Sequence, residues 1–214
     1  MKEFHFVGCV EVRELLGRRA NDIEKLADIL EDVPIDSVYY HMHSYFLRHY
    51  YLPGTYPNDF ANWVAIQVRD RVLGEKLAAI TPAGERSLED VRQDLIEIIY
   101  SHLSESRSAS YVVHGETFHF MKSHVIDIPT GIIVHNLHEF TEALKIVDAS
   151  AIYNHTFETR LRDKKGRSDF AIWLNETLGE KELAESFERL DAYMYSLEGL
   201  RNKLIEICAE KGHL

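Results

Sequence analysis

Two short segments, Phe4-His5-Phe6 and Phe118-His119-Phe120, alternate aromatic and polar side chains, and each runs on into branched and apolar residues. A period of two predicts strands whose phenylalanines face a core and whose histidines face away. Pro129-Thr130-Gly131 predicts a turn closing the second strand. Beyond it the spacing changes: Leu137, Phe140, Leu144 and Val147 recur at helical intervals behind Asn136, a suitable N-cap. The matching helix near the N-terminus covers residues 22–33, capped by Asn21 or Asp22. A second helix is predicted over residues 34–49, with Pro34 in its first turn, and its counterpart over 148–162. The segments Asp59–Trp63 and Asp169–Trp173 open a third helix behind Asn58 and Ser168, and last helices begin at Ser87 and Ser196.

These paired elements point to an internal repeat. A shift of 114 positions aligns Phe4–Arg48 with Phe118–Arg162 without a gap and matches ten residues, against about three by chance. Tyr39/Tyr153, His41/His155, Leu47/Leu161 and Arg48/Arg162 are among them, as are Gly17/Gly131. The two tryptophans, Trp63 and Trp173, fall at corresponding places. LGEK occurs at 73–76 and again at 178–181, and SLEDVRQDLIEI matches SLEGLRNKLIEI in eight of twelve positions. The expected organisation is two copies of one unit, residues 1–104 and 115–214, joined by a polar linker at 105–114. The expected fold class is α+β and predominantly helical, each unit a short N-terminal strand followed by three or four helices, with pseudo-twofold packing; an all-α fold is the alternative.

The chain has 214 residues, 45% hydrophobic and 28% charged, which is enough for a sizeable core. A formal charge of -11 disfavours nucleic acid and anionic membrane surfaces as partners. No apolar run approaches the length of a membrane span and the N-terminus carries no signal-peptide core, so the chain reads as cytoplasmic. Cys9 and Cys208 form no metal-like or redox pair, in keeping with a reducing compartment.

Comparison of the two copies filters the candidate chemistry. The stretch YYHMHSYFLRHYY corresponds to YNHTFETRLR and DKK, so His43, Tyr45 and His49 have no like counterpart, whereas Tyr39, His41 and Arg48 keep theirs in Tyr153, His155 and Arg162. On a continuous helix His41 and Arg48 lie on one face two turns apart, in reach of Asp59; His155 and Arg162 stand likewise to Asp169. Two readings stay open. The set is a structural bracket, with Arg paired to Asp and His bonded to backbone, or it is a polar cleft that meets a ligand. His5 and His119 either face solvent or approach each other across a pseudo-twofold axis. The aromatic loop special to the first copy, with Tyr50, Tyr51 and Tyr56, either packs under itself or offers a stacking surface. His41 and His43, two apart on a helix, cannot chelate one ion, and no metal or cofactor motif occurs; none is expected.

The residues IPTGIIVHNLHEFTEAL, SAIYNHTFETRLR, SDFAIWL and LGEKELAESFERLDAYMYSLEGLRNKLIEI, with SVYYHMHSYFLR, NDFANWV and SLEDVRQDLIEI in the first half, resemble a prokaryotic family catalogued as a domain of unknown function, family 5752. The resemblance spans nearly the whole chain and implies no catalytic residue, cofactor or substrate. The first copy departs from it at VRELLG, where the second has the IPTG stretch. The chain is expected to be a non-enzymatic ligand-binding or regulatory protein of two fused units, with a small molecule or protein as partner. The alternative is an enzyme that works on an anionic or sugar-like molecule through a His/Arg/Asp cleft.

Overall fold

Two long strands, β1 (Phe4–Ala20) and β2 (Phe118–Val134), pair antiparallel in a two-stranded sheet, and the rest of the regular structure is helical. The class is therefore α+β, and the all-α alternative falls. The computed structural model describes residues 3–50, 55–80, 86–105, 115–162 and 166–211, with the side chains of Arg162 and Lys211 outside it. Most of the expected linker, residues 106–114, lies outside the described residues.

Each strand is 17 residues long rather than short. Pro129-Thr130-Gly131 is not a turn but part of β2. A two-stranded ribbon leaves every second N–H without a ladder partner, so a proline is tolerated there. The continuity depends on Gly131, at φ 77°, and in β1 on Gly17, at φ 69°. An added Cβ would meet nothing within 4 Å at either glycine. Backbone freedom, not space, is what the position requires.

The described residues gather into two units, and neither is a continuous stretch. One unit combines residues 1–11 of the N-terminal segment with 49–52 and 125–214. The other combines 12–48 with 53–124. In the second of these, α1 (Ile23–Leu30), α2 (Ile35–Met42), α4 (Asp59–Trp63), α5 (Arg71–Ala78) and α6 (Leu88–Glu105) surround one apolar core. Leu26, Leu30, Val38, Leu73 and Leu95 lie in it, and so do Phe118 and Phe120 from the beginning of β2. In the first unit α7 (Leu137–Ile146), α8 (Ala149–Tyr153), α10 (Asp169–Trp173), α11 (Lys181–Arg189) and α12 (Leu197–Lys211) pack together. Phe4 and Phe6, from the beginning of β1, enter that core, with ring centroids 5.4 to 6.0 Å from Phe140, Phe170 and Trp173. Phe4, Phe6, Phe118 and Phe120 are all buried while His5 and His119 are exposed, the result of plain period-two alternation.

Helix caps follow local chemistry. Asp22, Asn58, Asn136 and Ser168 each accept a hydrogen bond from the amide three residues on, and α6 and α12 start directly behind Ser87 and Ser196. The helix bodies depart from the simple reading. The helix expected over 34–49 breaks after Met42 and resumes as α3 (Tyr45–Arg48), because Ser44 N–H bonds back to Tyr39 C=O, five residues earlier. The counterpart interposes a π-helical segment, Asn154–Glu158, between α8 and α9 (Thr159–Arg162). Further π segments, Val64–Val68 and Leu174–Leu178, follow α4 and α10, and each ends on a left-handed residue, Arg69 at φ 66° and Gly179 at φ 75°. The two LGEK stretches are thus not structural counterparts. Leu73–Lys76 lies inside α5, whereas Leu178–Lys181 runs from the π segment through Gly179 into α11.

Each core takes two phenylalanines from a strand remote in sequence from some of the helices it serves, and full burial of one such side chain is worth roughly 1.5–3 kcal/mol. Residues 1–104 expressed alone would lack Phe118, Phe120 and the strand that carries them. We expect this fragment to be unfolded, or to fold only as a dimer in which each copy's Phe4–Phe6 strand fills the other's slot. Analytical ultracentrifugation with amide NMR checks this, and a well-dispersed monomer would contradict it.

Candidate functional site

The two histidines kept in both halves occupy the same kind of site. His41 is buried among Tyr40, Phe60 and Phe118, with ring centroids 4.6 to 5.2 Å away. Its Nε2 accepts the backbone N–H of Met121 at 3.1 Å, so the ring carries its proton on Nδ1, which donates to Asp59 Oδ2 at 2.8 Å. His155 is buried against Phe4 and Phe170. Its Nε2 accepts Val7 N–H at 2.8 Å and its Nδ1 side meets Asp169 Oδ2 at 2.9 Å. In each case a helix side chain takes up a strand N–H that faces away from the partner strand. Around β1 the contact is extended: Asn154 Nδ2 donates to Val7 C=O at 3.2 Å, and Cys9 N–H donates to Ser150 Oγ at 3.2 Å.

Arg48 reaches the same Asp59 Oδ2, despite the break between α2 and α3. It also donates to Tyr40 C=O at 3.2 Å and Ser44 Oγ at 3.1 Å, and its guanidinium lies 4.1 Å over the Tyr40 ring. The side chain of Arg162 lies outside the described residues. Tyr39 stacks on His43 at 5.9 Å and Tyr153 on Phe157 at 5.4 Å; the Tyr153 hydroxyl donates to the buried Glu158 at 2.9 Å. The retained residues thus come together as His41, Arg48 and Asp59 in one unit and as His155 and Asp169 in the other, while Tyr39 and Tyr153 contact His43 and Phe157. In both units the two ring nitrogens of the histidine are engaged by protein groups.

The other candidates are dispersed. His5 pairs with Glu3 at 2.9 Å and His119 with Thr117 at 3.0 Å, both local contacts. Tyr56 packs on the core that includes Phe118, and its N–H and C=O both bond the Asn62 side chain. Tyr50 C=O accepts Glu198 N–H at the start of α12, at 3.0 Å, and Tyr51 lies outside the described residues. Cys9 and Cys208 are buried, and burial pushes their thiols up to about 12 and about 11, with Glu158 and Asp127 adding to the rise at Cys9. Neither is a ready thiolate. Among the described residues no cluster of three or more His, Cys, Asp or Glu is placed to hold a metal ion, and no helix is long and apolar enough to cross a membrane.

An open cleft lies elsewhere, between α11 and the strip formed by α10 and its π segment, with a volume of about 500 Å³. Buried Ala171 and Ala184 lie at its base; Arg167, Asn175, Lys181, Glu185, Glu188 and Arg189 complete the lining. None of these was singled out from the sequence. The available signal was the spacing of Lys181, Ala184, Glu185, Glu188 and Arg189, which puts a small residue and four charges on one face of α11.

A family model described as Family of unknown function (DUF5752) matches residues 1–209. The chain belongs to this family. A solved structure described as the structure of OrfY from Thermoproteus tenax is similar to this DUF5752 chain with a TM-score of 0.80 and 24% identity, covering 100% of this chain and 97% of that one. At that identity the likeness speaks for the fold alone. No curated protein matches the chain.

Replacing His155 with Ala would leave Val7 N–H without its acceptor inside the fold, while Asp169, whose side chain is 39% exposed, turns to water. A loss of about 1–3 kcal/mol in urea unfolding is expected; a change below 0.5 kcal/mol would contradict the geometry. His43 offers a second test. Full burial lowers its pKa from 6.5 to about 3. Between these values the unfolded chain binds a proton that the folded chain refuses, so the contribution to stability is complete above about pH 6.5 and shrinks as pH falls. His43→Phe, the residue found at the corresponding Phe157, should reduce the pH dependence of stability between pH 6.5 and 4 by up to one proton. An unchanged slope would contradict it.

Proposed function

We propose that this protein is a non-catalytic, cytosolic ligand-binding or interaction protein made of two homologous units. Support for homology comes from the ten aligned identities between the halves and from the recurrence, in the same order, of a glycine at positive φ in each long strand, a His–Asp pair, and a π segment after each Asp–Trp helix. The observation that carries the non-catalytic reading is the engagement of both ring nitrogens in His41 and in His155. A general base needs a free nitrogen within reach of a substrate proton. Here Nε2 is occupied by a backbone N–H in a phenylalanine-rich core, and the carboxylate on the other side serves to orient the ring. The His/Arg/Asp set is a bracket that fixes the strand against the helices.

The buried thiols likewise offer no nucleophile. Open, charged and metabolite-sized space remains in the cleft beside α11, and such concavities are the usual seats of small ligands. Native mass spectrometry of the purified full-length chain, followed by denaturation, tests the reading. A stoichiometric small molecule released unchanged is the expected result. Turnover of a co-purified or added compound that disappears in His41→Gln or His155→Gln, with folding intact, would refute it.

A further inference from the structure

The cleft beside α11 has a charge pattern that the rest of the chain does not lead one to expect. The protein carries a formal charge of -11, yet the lining holds three cations, Arg167, Lys181 and Arg189, against two carboxylates, Glu185 and Glu188. One of those carboxylates is already committed to the fold. Glu188 accepts from Ser168 N–H at 3.1 Å and Ser168 Oγ at 3.4 Å, with Arg160 a further 3.9 Å away. It braces the start of α10 from within the cleft lining.

Arg189 faces Glu185 at 3.9 Å, and both side chains are 68% exposed; an exposed pair of this kind contributes little and exchanges readily for a better acceptor. Arg167 donates to Glu176 at 3.2 Å, nine residues on, with the two side chains 32% and 57% exposed, which lays its guanidinium along the α10 side of the cleft. Lys181 makes no ion pair among the described residues, and it stands on the first residue of α11, whose N-cap, Glu180, makes no side-chain capping bond. The positive end of a nine-residue helix and an ammonium therefore share one end of the cleft.

We infer that this cleft binds a small organic anion, a carboxylate or phosphate ester. The anionic group sits between Lys181 and Arg167, and the body of the molecule lies over the methyl groups of Ala171 and Ala184. Arg167 supplies the planar fork and Lys181 the point charge, the complementary ways in which the two side chains meet an oxyanion. Asn175 and Glu185 are left to take polar groups on the ligand body. The inference rests on the binding role proposed above and names the site and chemical class for it.

Calorimetric titration of the full chain with inorganic phosphate and with malonate, at low ionic strength, tests it. One site per chain is expected for one or both anions, weakened at least tenfold in Arg167→Gln and in Lys181→Gln at unchanged melting temperature. Lys203→Gln, on α12 in the same unit, should bind as the unaltered chain does. If Arg167→Gln lowers the melting temperature, Lys181→Glu carries the test alone, with loss of binding expected. Absence of binding by both anions, or binding that survives Arg167→Gln combined with Lys181→Gln, overturns the inference. Such a failure removes only the cleft assignment; a neutral or cationic molecule found by native mass spectrometry would sustain the binding role and refute this site.

Discussion

A buried imidazole that accepts a strand amide on one nitrogen and donates to an aspartate on the other is the constraint on which both halves of this protein depend. A strand N–H turned away from its ladder must find an acceptor or remain a costly orphan in the core. Beside Phe4 and Phe6, or Phe118 and Phe120, a buried imidazole is the acceptor each amide meets. The histidine can accept provided that its proton is kept on Nδ1, and Asp59 or Asp169 at 2.8 and 2.9 Å keeps it there. The aspartate stands on the first residue of a short helix, capped by Asn58 or Ser168, so the clamp also fixes how that helix meets the strand.

This arrangement explains why the units are discontinuous in sequence. Val7 and His155 are separated by 148 positions and Met121 and His41 by 80. The start of each long strand is bound by helices that belong, in sequence, to the other half of the chain, and the end of the strand continues with its own. The same clamp is present in both halves, while neighbours such as His43 and Phe157 differ.

Much of the local structure could be read from the residues. Alternation put Phe4, Phe6, Phe118 and Phe120 inside and the histidines outside, and capping residues located the helix starts, because both signals act over two to four positions. Pro129 and Gly131 misled, since the same residues that close a turn also let a ribbon pass through a left-handed residue. The π segments leave no compositional mark, and the LGEK match was coincidence of sequence without coincidence of place. Repeat comparison isolated His41, Arg48 and Asp59, and the occupant of the second ring nitrogen is invisible in sequence because it is a main-chain group on a distant strand. The cleft went unread for another reason: Lys181 and Glu185 have like residues in Arg71 and Glu75 only when α11 is laid on α5, and the LGEK match hid that register.

With the polar set common to both halves absorbed by the fold, the clamp itself is the claim that supports both the architecture and the non-catalytic reading. Its most direct test is ¹⁵N NMR of the histidine-labelled full-length protein at pH 7. The structure requires His41 and His155 to hold the proton on Nδ1, with Nε2 showing an acceptor shift and a coupling across the hydrogen bond to the amide nitrogens of Met121 and Val7. Either ring protonated on Nε2, as a neutral or a charged imidazole, would contradict it.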